Sequence, residues 1–147
     1  MIADKKQCIE FWQILAEKIK RFDELDDGEI VFGARTMGGG HKYRRLPIVS
    51  DDEIASFENN NGFELPLEYK TYLQTFGAGG GGPYYGLYDF RKYVLPYNYR
   101  EPFPCTEEVW YDDLEDDDPI WEHPGIAFVG EHGCGATFGI ELNGNSP

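Results

Sequence analysis

One run of residues sets the architecture of this chain: SDDEIASFENNNGFELPLEYKTYLQTFGAGGGGPYYGLY, from Ser50 to Tyr88. It opens with a capping box, in which the Ser50 hydroxyl accepts from a free helix-start N–H and Glu53 reaches back to the Ser50 amide. This pair predicts a helix that begins at Asp51. Asn61-Gly62 supplies a left-handed residue, so the helix is predicted to end there.

A second helix is predicted to start at Leu65-Pro66, because proline fits a first helical position, where its missing N–H would have no partner. Apolar side chains then recur at the three- and four-residue spacing of one buried face, and Gly77 closes the helix. The residues predicted to form this buried face are Leu65, Tyr69, Tyr72, Leu73 and Phe76.

The glycine run at residues 77–82, GAGGGG, matches the G-x-G-x-x-G pattern of dinucleotide-binding proteins. That fingerprint follows a strand and opens a helix, whereas this run follows a helix and leads into a tyrosine-rich strand predicted over Pro83–Tyr88. Nucleotide binding is therefore not predicted. The glycines instead predict a mobile loop between helix and strand, because glycine adopts φ > 0 at no steric cost.

The residues of this run, together with Gly133-Cys134-Gly135 and Asn143-Gly144 further along, resemble the SUKH superfamily. The resemblance covers the chain from Ser50 onward. The superfamily includes fungal cell-wall synthesis regulators and bacterial immunity proteins that neutralise polymorphic toxins. The resemblance implies structural motif residues and no catalytic constellation. These motif residues are Leu65, Pro66, Tyr69, Tyr85, Gly86, Gly133, Cys134 and Gly135.

A longer helix is predicted near the N-terminus, over residues 5–24, where apolar residues recur every three or four positions. It is interpreted as a packing helix with its charged side chains outward, and a groove for a partner is the alternative. The apolar positions are Ile9, Trp12, Leu15, Ala16, Ile19 and Phe22.

The predicted fold class is α+β: a single SUKH-like domain over residues 1–147, with the family-like core at about 50–147. Its antiparallel sheet has about five or six strands packed against about three helices. Strands are predicted from Tyr84 onward and near Ile30, and Asn143-Gly144 is a strong hairpin signal. The predicted strands beyond residue 88 are Arg91–Tyr99, limited by Pro96, then Gly125–Gly130 and Ala136–Leu142.

Composition favours a cytoplasmic protein. Cys8, Cys105 and Cys134 are an odd number without close spacing, which predicts buried thiols in a reducing compartment and no disulfide framework. The first residues lack an apolar signal core, and no apolar stretch is long enough to span a membrane.

The formal net charge is −14. A surface this negative repels phosphate backbones and anionic lipid and attracts basic partners, so direct binding to nucleic acid or membrane is not predicted. The alternative is that the acidity only keeps the protein soluble.

The acids are concentrated between Glu101 and Glu122, where ten carboxylates occur without a single Lys or Arg. Large aromatic residues lie among them, which is unusual for a solvated loop and predicts a partner-binding surface. In the alternative interpretation the tryptophans are core residues and the acids are merely solvated. The predicted partner-binding residues are Trp110, Tyr111, Asp112, Asp113, Glu115, Asp116, Asp117, Asp118 and Trp121.

No metal, cofactor or catalytic residue is predicted. His123, His132 and Cys134 lack the paired spacing of a structural zinc site, and the aspartates lack the pattern of a calcium loop. Cys134 and His132 form only a local pair in a glycine turn, which is insufficient for nucleophilic catalysis.

These observations lead to two hypotheses. The favoured one is an immunity-type binding protein that blocks a basic toxin domain, a nuclease or a deaminase, with carboxylates standing in for phosphates. The alternative is a regulatory or scaffold module that is not an enzyme and has no toxin partner. An enzyme would require a metal or cofactor in the purified protein.

Overall fold

The computed structural model describes residues 4–26, 31–35, 40–93, 95–105 and 114–142. These stretches contain three α-helices, two 3₁₀ helices and one pair of strands, which confirms the α+β class. In chain order the elements are α1 (Lys5–Leu25), α2 (Asp51–Asn61), α3 (Leu67–Thr75), 3₁₀ helices at Phe90–Lys92 and Pro119–Glu122, β1 (Ile126–Gly133) and β2 (Ala136–Glu141).

The described residues fall into two compact units. The larger contains those within residues 2–93 and 129–138, and the smaller those within 94–128 and 139–147. The single domain over residues 1–147 stays a prediction.

Helix α1 begins with a capping box that the sequence analysis did not identify. The Gln7 amide donates to Asp4 Oδ1 over 2.9 Å, and the Asp4 amide donates to Gln7 Oε1 over 3.3 Å. One face of α1 packs on α3, where the Trp12 indole donates to the Glu68 carbonyl over 3.1 Å. Phe22 was predicted on the packing face, but its side chain is exposed. Its ring stacks on that of Tyr43, with 6.4 Å between the ring centroids.

Helices α2 and α3 lie close to where the sequence predicted them. The predicted capping box is confirmed, with the Ser50 amide donating to Glu53 Oε2 over 3.0 Å, and Gly62 ends α2 at φ 74°. Pro66 precedes the first residue of α3 and does not occupy it, because its extended backbone, ψ 143°, lies outside the helical region.

The core of the larger unit forms around α2 and α3. Leu65, Leu73 and Phe76 are buried as predicted, and Val49 and Ile54 join them. Tyr69 is only partly buried; its ring stacks on that of Tyr72 at 5.8 Å.

The glycine run is packed between two backbone segments. The Gly81 amide donates to the Arg44 carbonyl over 2.7 Å, and Gly80 exchanges hydrogen bonds of 2.8 and 2.9 Å with Leu87. A β-carbon at Gly79 would overlap the Tyr88 carbonyl oxygen. The run therefore permits close backbone approach, and the expectation of a mobile loop is wrong.

The described sheet is smaller than expected. It consists of the hairpin β1–β2, turning at Cys134-Gly135, and β1 extends three residues beyond the predicted strand. Three isolated antiparallel bridges, Arg45 to Gly80, Gly80 to Leu87 and Leu87 to Gly130, form a ladder that is too short to count as strands. Five or six strands are not shown in the described residues.

Two predicted strands have other conformations. Residues 83–88 contain a turn and only one bridged residue, Leu87. The segment predicted at Arg91–Tyr99 overlaps a 3₁₀ helix, which forms because the Asp89 carboxylate accepts from the Arg91 amide over 3.1 Å. Ile30 and Asn143-Gly144 lie outside the described residues.

Candidate functional site

The candidate site is the acidic, aromatic segment at residues 114–122 of the smaller unit. It contains five of the predicted partner-binding residues: Glu115, Asp116, Asp117, Asp118 and Trp121. The other four, Trp110, Tyr111, Asp112 and Asp113, lie outside the described residues.

Backbone turns fix the position of Trp121 in this segment. The Asp118 amide donates to the Glu115 carbonyl over 3.1 Å, and the Asp118 side chain accepts from the Ile120 amide over 3.0 Å. This cap starts the 3₁₀ helix that carries Trp121. The Trp121 indole N–H donates to the Glu115 carbonyl over 2.8 Å, so the ring is held in place while 40% of the residue remains exposed.

The carboxylates around Trp121 have two different environments. Asp118 is half-buried and serves as the helix cap, whereas Glu115, Asp116, Asp117 and Glu122 are exposed. None of these five forms an ion pair with a Lys, Arg or His among the described residues. The negative charge of the four exposed carboxylates is thus directed at solvent and is available to a basic partner.

Tyr97 belongs to this surface, although the sequence analysis did not select it. It is 84% exposed, and its hydroxyl donates to Glu122 Oε2 over 3.1 Å. That hydrogen bond, followed by the negative charge of Glu122, raises the pKa of Tyr97. The sequence signal was faint, because it consisted only of an aromatic residue immediately after Pro96.

Asn98 supports the site from beneath. It is buried, and its amide nitrogen donates to the Glu122 carbonyl over 2.6 Å. The Asn98 carbonyl also accepts from the Gly125 amide over 3.2 Å. These bonds anchor the end of the 3₁₀ helix, so Trp121 and Tyr97 are presented on a fixed backbone.

The motif residues near the hairpin lie in the larger unit. A β-carbon on Gly133 would lie 2.7 Å from Cε2 of the Tyr85 ring, and one on Gly86 would overlap the Gly80 carbonyl oxygen. Gly135 turns the hairpin at φ 87° with open space around it. The glycines thus have geometric reasons to be present, and the structural role of the whole motif set stays a prediction.

Cys134 differs from the expectation of buried thiols. It is exposed at the hairpin turn, with φ 54°, whereas Cys8 is buried and Cys105 is half-buried. A turn residue has no neighbours on its outer side to cover it. Burial, followed by the charges of Asp118 and Glu141, raises the pKa of the Cys105 thiol.

The histidines considered as metal ligands pack against aromatic rings. His132 lies 3.8 Å from the Tyr84 ring centroid, and His123 lies 5.2 Å from that of Phe128. The described part of the chain contains no group of three or more His, Cys, Asp or Glu that could hold a metal ion.

Charge is distributed unevenly along the chain. Residues 1–93 contain 12 of the 13 basic residues and 15 of the 27 acidic ones. Residues 94–147 contain one basic residue, Arg100, against 12 acidic ones. Most of the excess negative charge therefore belongs to the last 54 of the 147 residues, which include the candidate site.

Together these features define a small α+β protein with an acidic, aromatic surface. The model of the SMI1 / KNR4 family (SUKH-1) matches residues 48–147, and the chain belongs to this family. No curated protein and no solved structure matches the chain significantly. The helices in the described stretches include none that is long and apolar enough to cross a membrane.

Proposed function

We propose that the protein is an immunity-type binding protein, which neutralises a basic toxin domain by direct contact with the acidic, aromatic segment. Membership of the SMI1 / KNR4 family (SUKH-1) supports a role in protein interaction. The observation that carries the proposal is Trp121, an anchored and partly exposed indole among exposed carboxylates that form no ion pair with any described residue.

The chemistry of the surface suits a toxin that acts on nucleic acid. A nuclease or deaminase carries basic side chains that bind phosphates, and carboxylates at similar spacing compete for them. The acids speed the encounter, and the exposed rings of Trp121 and Tyr97 supply the apolar contact that slows dissociation. Such a protein acts in the cytoplasm by occupying the toxin's site, and it needs no cofactor or catalytic residue.

The direct test uses the basic toxin domain that the proposal expects to be encoded next to this gene. Wild type and the triple variant Glu115→Gln, Asp116→Asn, Asp117→Asn are compared for association rate across a salt series. We expect the triple variant to associate about tenfold more slowly at low salt, with a shallower salt dependence.

The matched control is Glu24→Gln, Asp52→Asn, Glu131→Gln, which removes three exposed carboxylates that likewise form no ion pair among the described residues and belong to the larger unit. It changes the net charge by the same amount and should retain more of the wild-type association rate. Equal rates for wild type and the triple variant would refute the acidic surface as the interface. Failure of the wild-type protein to bind or neutralise the toxin would instead favour the regulatory or scaffold module.

A further inference from the structure

Helix α1 carries a second apolar face besides the one that packs on α3. The inner face includes Trp12, whose ring lies 5.2 Å from that of Tyr72. On the outer side, Phe11 is 57% exposed, Ile14 59% and Leu25 67%. Isolated exposed apolar residues are common, but several on one stripe of a helix indicate an interaction surface.

The spacing of this outer face matches helix–helix docking. Phe11, Ile14, Lys18, Arg21 and Leu25 follow one another at intervals of three, four, three and four, which are the a and d positions of a heptad. Its ends are apolar and its two central positions are cationic. Such a stripe fits one side of a second helix.

A groove opens at the C-terminal half of the stripe. It is lined by Lys18, Arg21, Phe22 and Leu25 and has a volume of about 190 Å³. Small-molecule pockets usually measure about 300–1,000 Å³, so this groove suits one large side chain from a protein partner. The stacking of Phe22 on Tyr43 fixes one wall.

The two central cations form no ion pair in the described part of the chain. Lys6 pairs with Glu10 at 3.8 Å and Lys20 with Glu17 at 2.6 Å on the same helix, whereas Lys18 and Arg21 form no ion pair there. In a protein of net charge −14, two cations that pair with no described residue and lie between apolar residues select an acidic partner at this place.

We infer that the outer face of α1 docks an amphipathic helix of a partner protein, with apolar residues at its ends and carboxylates at its centre. The apolar residues cover Phe11, Ile14 and Leu25, and the carboxylates pair with Lys18 and Arg21. This surface prefers an acidic partner, whereas the acidic, aromatic segment prefers a basic one. The inference therefore does not depend on the proposed toxin partner.

A second copy of the chain fits this face poorly. Two-fold antiparallel pairing that sets Phe11 against Leu25 places Lys18 opposite Lys18 of the other copy. In a parallel pair, Lys18 lies opposite Lys18 of the other copy and Arg21 lies opposite Arg21. Like charges at the centre of a contact oppose association, whereas a partner with carboxylates there is attracted.

The test uses a fluorescein-labelled synthetic helical peptide of the same length as α1. It has leucine at the outer a and d positions, glutamate at the central ones, and alanine and glutamine elsewhere. A second peptide replaces the central glutamates with lysine. By fluorescence anisotropy, we expect the wild-type protein to bind the glutamate peptide about tenfold more tightly than the lysine peptide.

Charge reversal supplies the decisive comparison. Lys18→Glu, Arg21→Glu should reverse the peptide preference, whereas Lys5→Glu, Lys6→Glu, with the same net charge and exposed on the same helix, should keep it. Circular dichroism melts check that each variant is folded. The inference is overturned if wild type does not bind the glutamate peptide or does not distinguish the two, or if both variants change preference alike.

Sedimentation equilibrium of the protein alone tests whether a second copy of the chain occupies the outer face of α1. We expect a monomer. A dimer that is lost in Leu25→Ser would assign the outer face to self-association and would overturn an acidic partner.

Discussion

The glycine run at residues 77–82 and the acidic, aromatic segment at residues 114–122 look equally unstructured in sequence, yet they differ in what they contribute. In the glycine run, backbones approach so closely that side chains are excluded. In the acidic segment, the backbone turns so that side chains point outward from a capped 3₁₀ helix. Low sequence complexity therefore does not distinguish a structural segment from a binding one; the hydrogen-bond partners of its backbone do.

The largest expected loss of stability comes from a substitution in the glycine run. Gly79→Ala should lower the free energy of unfolding by about 3 kcal/mol or more, because the β-carbon overlaps the Tyr88 carbonyl oxygen and φ is +138°. Urea denaturation measures the loss. Gly62→Ala is the matched control, since its φ of +74° is strained but the space around it is open, and about 1 kcal/mol is expected. Equal losses would contradict the close-approach role.

The core beside the glycine run should come next. Leu73 is fully buried, so Leu73→Ala is expected to cost about 2–5 kcal/mol through lost contacts and the cavity left behind. The melting temperature of the variant should drop, while the fraction that remains folded should still bind the toxin. An unchanged melting temperature together with lost binding would place Leu73 in the interface instead.

A pH effect should also belong to the glycine-run side of the molecule. His41 is buried, its Nδ1 accepts from the Tyr43 amide over 3.0 Å, and its Nε2 lies 3.1 Å from the Tyr84 carbonyl. Burial outweighs the Tyr84 contact and lowers the pKa of His41 below 6.5.

The unfolded chain therefore binds a proton more readily than the folded protein as the pH falls below 6.5. We expect stability to decline from that pH down to the folded pKa of His41, beyond which this contribution is constant. NMR titration of the ring and melts from pH 7 to 5 measure both quantities. The variant His41→Gln should lack this part of the decline; an identical profile in the variant would refute the role of His41.

The smallest effect is expected in the acidic, aromatic segment. The variant Glu115→Gln, Asp116→Asn, Asp117→Asn should change the free energy of unfolding by only about 0.5 kcal/mol in either direction, because these exposed carboxylates form no described ion pair. Chemical denaturation measures this change. A loss above about 2 kcal/mol would show that the segment is structural, like the glycine run.

The sequence predicted local structure better than pairing. The caps at Ser50 and Gly62 and the buried positions Leu65, Leu73 and Phe76 were readable because each depends on near neighbours along the chain. The bridges of the ladder could not be predicted from the sequence, because each one joins distant segments through backbone atoms, which leave no side-chain pattern.

The location of the candidate site is a prediction from the sequence, and its geometry could not be predicted in this way. Charge and aromatic content selected Glu115 and Trp121. Their composition gave no sign that Tyr97 and the buried Asn98 would hold Glu122, since those contacts depend on how two distant stretches fold together. Likewise, the three-and-four periodicity of α1 indicated a helix, but only the structure separated its inner face from its outer one.

The ladder that ends at Gly130 has a consequence for how the chain folds during synthesis. Its last bridge joins Leu87 to Gly130, and Tyr88 donates to the Val129 carbonyl over 2.8 Å. These bonds cannot form until residues 129 and 130, which follow all three helices in the sequence, have left the ribosome. Helices α1 to α3 emerge first. Until residues 129 and 130 follow, the backbone edge of Leu87 and Tyr88 that pairs with them is open, and a chaperone or a neighbouring chain can contact it.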